Sequence, residues 1–240
     1  MDFVKLKEIL EIVAGVGIEE LVIEPIDPQR TRLRGANKER NIIIYDEVDD
    51  AVSDLPMGLM SVRALLSRLD LFDPDKAKIE TTDDKKLINN VTIKQGRKKA
   101  SYKCADPTHL AVPKKIPGNL DSDNKIELEK DFVDYISQVI TSMSYTGAKA
   151  ERTISLSVTD EKMKISIFDG EDDTFTDERS CEGTGVSDFS KSSWEVLPYL
   201  KVLKKSVEQD NDAIAKFSVT EHGIAVFSVG DYSIIVAPVA

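Results

Sequence analysis

The residue types best suited to chemistry fall in a few short places. Gly183-Thr184-Gly185 offers the backbone N–H groups that cradle a phosphate. A phosphate loop also needs a lysine at fixed spacing and a strand–loop–helix setting. Neither surrounds these glycines, so the segment reads as a hairpin or loop. Gly170-Glu171-Asp172-Asp173 and the group Asp46, Glu47, Asp49 and Asp50 carry the oxygen ligands a divalent cation takes. Calcium loops alternate their ligands and close on a glutamate. That pattern is missing, and both runs read as charged loops. Asp169, Asp172 and Asp173 could still serve a metal-dependent hydrolase, which chelation would silence. Cys104 and Cys181 stand far apart in no metal-ligand spacing, and two cysteines make no disulfide framework. His109 and His222 have no orienting partner nearby in sequence. No catalytic or metal set emerges, and no cofactor is expected.

The elements that would carry these residues are told by an internal repeat. Leu59, Val62, Leu65, Leu66 and Leu69 recur at helical spacing. Strands are expected after them over 77–84, 87–93 and 99–104, and the segment closes at Ala105-Asp106-Pro107. The second copy opens at Trp194 with Val196, Leu197, Leu200, Leu203 and Val207. Strands are expected at 213–219, 224–229 and 232–236, closing at Ala237-Pro238. Each copy is preceded by another helix, through Phe3, Leu6, Leu10 and Val13 in one half. In the other half it runs through Phe132, Val133, Ile136, Val139, Ile140 and Met143. Strands follow these at 18–23 and 30–34, and at 154–158 and 163–168. Pro198 sits in the last helical pattern, with Ser192 or Ser193 expected as its N-cap and some irregularity at the proline.

Similarity at half the chain length implies duplication. Residues 1–107 and 126–240 are expected as two α+β domains joined by a connector at 108–125, which holds Pro113, Pro117, Gly118 and Asn119. The 240 residues are 41% hydrophobic, 31% charged and 6% aromatic, enough for an aliphatic core. A net charge of −11 argues against wrapping nucleic acid by bulk attraction, so any DNA contact needs a local basic surface. The N-terminus has no signal-peptide pattern and no apolar run is long enough for a span, so the protein is expected to be cytoplasmic.

These features resemble the DNA sliding clamps. Asp231-Tyr232-Ser233-Ile234-Ile235-Val236-Ala237-Pro238 is similar to the C-terminal strand of eukaryotic and archaeal clamps. Three passages resemble the clamps of T-even-type bacteriophages: Asn41 to Val52, Lys78 to Leu87 with its Thr82-Asp83-Asp84 turn, and Ala105-Asp106-Pro107 entering a proline-rich connector. The resemblance implies a DNA clamp fold, with two helices and a curved antiparallel sheet in each duplicated domain. It implies a non-enzymatic homotrimeric ring encircling duplex DNA as the processivity factor of a replicative polymerase. A separate clamp loader ATPase would open it, and a viral source would place it in host cytoplasm.

The resemblance also implies site residues. The helices would face DNA through Lys5, Lys7, Arg63, Arg68, Lys130, Lys201, Lys204 and Lys205, diluted by Glu8, Glu11, Asp134 and Glu195. On the third helix Ser137, Gln138, Thr141 and Ser142 leave the polar face mostly uncharged. A partner peptide would dock at Leu110, Ala111 and Val112 of the connector and at Ile235, Ala237 and Pro238. Ile234-Ile235 departs from the eukaryotic pattern, in which tyrosines are common. Subunit edges are expected near 99–104 and 167–179. The alternative is an acidic duplicated α+β protein-binding module that forms no ring.

Overall fold

The computed structural model describes residues 1–49, 51–115, 120, 122, 124–143, 152–169, 174–181, 184 and 186–239. Asp50, Gly170 to Asp173, Gly183, Gly185, and Pro117, Gly118 and Asn119 of the expected connector lie outside the described residues. The chain divides into two compact units, Met1–Ile116 and Pro117–Ala240.

The first unit opens with α1 (Phe3–Gly15). Asp2 caps it by accepting the Lys5 N–H at 3.0 Å, and Phe3, Leu6, Ile9, Leu10 and Val13 form its buried face. Gly17, at φ +90°, lets the chain turn out, and the Ile18 N–H returns to the Val13 carbonyl at 3.0 Å. Next come β1 (Glu20–Asp27), β2 (Arg30–Ala36), β3 (Ile42–Val48) and β4 (Met57–Leu59). They form antiparallel ladders in the order β4-β1-β2-β3. Then α2 (Val62–Leu69) packs beside α1, burying Val62, Leu65 and Leu69. The hairpins of β5 (Lys78–Asp83), β6 (Ile88–Gln95) and β7 (Lys98–Lys103) complete the unit.

The second unit repeats this order after one extra strand, β8 (Lys125–Glu129). Its elements are α3 (Lys130–Ser142), β9 (Arg152–Thr159), β10 (Lys162–Asp169), β11 (Thr174–Ser180) and β12 (Phe189–Glu195). They continue as α4 (Val196–Gln209), β13 (Ile214–Val219), β14 (Ala225–Val229) and β15 (Tyr232–Val236). The order β12-β9-β10-β11 matches β4-β1-β2-β3, and β13-β14-β15 matches β5-β6-β7, with β8 added beside β13. The copies also close alike. The Ala105 N–H bonds the Gly58 carbonyl of β4 at 2.9 Å, and the Val239 N–H bonds the Ser193 carbonyl of β12 at 2.9 Å. Each chain segment thus returns to the strand that feeds its second helix.

Several expectations are corrected. Leu59 ends β4 instead of opening a helix, and α2 starts at Val62 behind Ser61, whose hydroxyl accepts the Ala64 N–H at 3.3 Å. Ser192, Ser193 and Trp194 are not a cap and first turn, because they pair in β12 with Leu156, Ser155 and Ile154. The helix cap is Glu195, through its backbone alone. Pro198 is the third residue of α4, where a missing N–H breaks no helical bond, and the helix runs on through Gln209. Trp194 is fully buried and stacks on Tyr199 at 4.9 Å, and Tyr199 meets Phe227 at 5.2 Å. This aromatic nucleus sits in the second unit, while the first is packed mostly with aliphatic side chains.

Candidate nucleic-acid interface

Charge is divided unevenly between helices and the rest. Over the four α-helices of the described residues eight basic side chains stand against five acidic ones, a balance of +3. Subtracting these from the 32 basic and 43 acidic residues of the chain leaves 24 against 38, or −14, everywhere else. The basic side chains differ in how free they are.

On α4, Lys201 and Lys204 are exposed and form no ion pair among the described residues. Lys205 is half-buried and reaches Glu208 Oε2 at 3.3 Å. On α2, Arg63 is exposed. Arg68 lies over the Tyr102 ring, 5.4 Å from its centroid, and its guanidinium donates to the Ala64 carbonyl. Tyr102 in turn accepts the Ser61 N–H at 3.1 Å, so Arg68 belongs to the seam between α2 and β7.

On α1, Lys5 is half-buried. Lys7 bonds Asp70 Oδ1 at 2.9 Å and approaches Glu11 at 3.6 Å. The Asp70 hydrogen bond is the main reason its pKa is raised, and Glu11 adds to it. Lys130 is exposed at the first position of α3, next to exposed Asp131 and Asp134. The hydroxyls of α3 turn onto its own backbone. Ser137 donates to the Val133 carbonyl at 2.7 Å, Thr141 to Ser137 at 2.8 Å and Ser142 to Val139 at 2.8 Å. They add no free donors for a phosphate.

The expected partner-site residues are mostly committed to packing. Leu110 and Val112 are buried against Val22, with Ala105 beside them. Ala111 is exposed, and its N–H bonds Glu20 Oε2 at 2.8 Å. Arg34 pins the chain just beyond Val112, donating to the Pro113 carbonyl at 3.1 Å while paired with Glu24 at 2.7 Å. Ile235 is buried in β15, and Ala237 and Pro238 are half-buried. The structure gathers Leu110 and Val112 into one cluster of the first unit. The three C-terminal residues are described only in the second.

Sequence reasoning missed the surroundings of the open sheet edges. Among the described residues β7 pairs only with β6 and β11 only with β10, so each presents an unpaired side. Beside β11 stands a cluster from two elements. Tyr135, 44% exposed, meets Phe175 at 5.8 Å, and the Arg179 guanidinium lies 3.4 Å from the Phe132 centroid. Thr174 to Ser180 alternates too weakly to read as a strand, which hid this side of the cluster.

Among the described residues no group of three His, Cys, Asp or Glu side chains is placed to hold a metal ion. His222 is exposed, 3.5 Å from Glu221, and His109 is exposed in a short 3-10 turn, Pro107–His109. No helix of the described residues is long and apolar enough to cross a membrane.

No family model and no curated protein matches the chain. Solved structures do. The DNA polymerase III subunit beta of Pseudomonas aeruginosa superposes with a TM-score of 0.67 at 14% identity, covering 100% of this chain. The chain spans 64% of that subunit's length. The Helicobacter pylori beta clamp, solved with a DNA ligase peptide, gives 0.62 at 13% identity over 100% of this chain and 65% of its own. The Proliferating Cellular Nuclear Antigen of Entamoeba histolytica gives 0.64 at 12% identity over 98% of this chain and 94% of its own. At these identities the likeness is one of architecture: among the described residues, four α-helices and antiparallel sheets in two repeated units, which is the fold of the DNA sliding clamps.

Proposed function

We propose that copies of this chain close into a ring around duplex DNA and tether a replicative DNA polymerase as its processivity factor. One observation carries this reading: helices with a balance of +3 in a chain that is −14 elsewhere, on a sliding-clamp fold. A ring lined by such helices would hold the duplex by enclosure, with loose phosphate contacts that read no bases.

In this reading the chain is not an enzyme, and a separate clamp loader ATPase opens the ring. Three copies supply six similar units. The open edges β7 and β11 are where one copy would meet the next. That arrangement would bury Tyr135 and Phe175 and leave neither edge exposed to aggregation. A Helicobacter pylori neighbour was solved with a DNA ligase peptide. For this chain the corresponding partner site is proposed at Leu110, Ala111, Val112, Ile235, Ala237 and Pro238. The T-even-type resemblance of the sequence favours a phage protein working in host cytoplasm.

Threading tests the topological claim. The protein is incubated with a linear duplex fixed to beads at one end, then washed in high salt with the free end open or blocked. Retention only behind a blocked end is expected. Equal retention in both cases would show ordinary surface binding and remove the ring mechanism.

A further inference from the structure

We infer that the duplex is contacted through the second helix of each unit, α2 and α4, while the first helices, α1 and α3, present acidic stripes that hold it off. The inference rests on the clamp reading and divides its basic helices into two classes. On α4, exposed Leu197, Lys201, Lys204 and Glu208 follow one another at spacings of four, three and four, so they share one face. The lone acid of that face, Glu208, is already engaged by Lys205. Two lysines without ion partners among the described residues therefore set the local potential. On α2 the exposed stripe carries Arg63 and Ser67, and no acid lies within the helix.

The first helices are built the other way. The exposed side of α1 is Val4, Glu8 and Glu11, and its lysines are half-buried at the flank, with Lys7 held by Asp70 and Glu11. The exposed side of α3 carries Asp131 and Asp134 against the single Lys130. Screening confines exposed charges to about 10 Å at 0.1 M salt, so each stripe acts on the phosphates nearest it and not through the net charge of the chain. Attraction is then confined to one line in each unit, with repulsion from the first helix beside it. Such a lining centres a duplex without gripping it.

The test is binding of a fluorescent linear duplex across a salt series from about 0.03 M to about 0.3 M, with the mass of every variant checked by light scattering. K201Q/K204Q is expected to weaken binding about tenfold at the lowest salt. It should also flatten the slope of log affinity against log salt by about 0.9 for each phosphate left without its lysine. E8Q and D134N are expected to tighten binding about twofold, because each removes a repelling charge. If the double variant changes the mass, K201Q and K204Q alone are compared, with half the effect expected of each. Unchanged affinity and slope in the lysine variants, or weaker binding by E8Q or D134N, overturns the assignment while DNA binding by the wild type stands. A wild type that binds no duplex at any salt overturns the assignment of contacts, while the clamp reading is decided separately by retention behind a blocked end.

Discussion

At the residue scale, what a side chain offers depends on partners the sequence does not announce. Lys7 and Lys201 are alike in type and both lie on the polar side of a helix. Lys7 is spent on Asp70, and Lys201 is free of ion partners among the described residues. Cys104 shows the same dependence. It is buried, and desolvation pushes its thiol up to about 12 from an ordinary 9.0. At pH 8 the native thiolate fraction should be about a thousandfold below that of an exposed thiol. Alkylation followed by mass spectrometry should leave Cys104 unmodified in the native protein and label it in denaturant. Rapid native labelling would contradict its burial. Gly58 is a second case. A Cβ there would stand 2.7 Å from the Ala105 carbonyl oxygen and 3.0 Å from Leu110 Cδ1. Gly58→Ala should cost about 1–3 kcal/mol in urea unfolding by breaking the bridge that closes the first repeat. A change within error would mean the closure is easily displaced.

At the element scale, helices were easier to read than strands. The apolar spacing of Phe3, Leu6, Leu10 and Val13, and of Val133, Ile136 and Ile140, is set by each helix alone. β4 has three residues, β8 follows the connector directly, and β12 carries Ser190, Lys191, Ser192 and Ser193. Their strand character comes from neighbours in the sheet and not from their own pattern. The same holds for the start of α4, where pairing with β9 takes Trp194 into the strand. The basic residues of the candidate interface were legible as types. Their sorting into free and engaged was not, because Asp70 and Tyr102 reach Lys7 and Arg68 from other elements. Trp194 is the only tryptophan and lies wholly in the second unit. Its fluorescence should therefore be that of a dry site and should report that unit's unfolding. Trp194→Phe, which keeps a ring beside Tyr199, should be tolerated far better than Trp194→Ala, which should cost about 3–5 kcal/mol. Equal destabilisation by both would place the stabilising packing elsewhere.

At the scale of the whole molecule, a pI of about 4.8 and a DNA-binding role are compatible only if charge is sorted by location. The α-helices of the described residues carry the positive balance, and the remainder of the chain carries the negative one. Sorting has a use if enclosure supplies the hold on DNA, because a strongly basic lining would resist sliding and an acidic exterior keeps stray nucleic acid away. Enclosure in turn needs copies of the chain, and the open sides of β7 and β11 are among the sheet edges that could join them. The most direct test of the central claim is the solution mass, by light scattering on a sizing column over a concentration series at moderate salt. A trimeric ring should give a species near three times 26.7 kDa that falls apart only on dilution. A monomer at every concentration would contradict it.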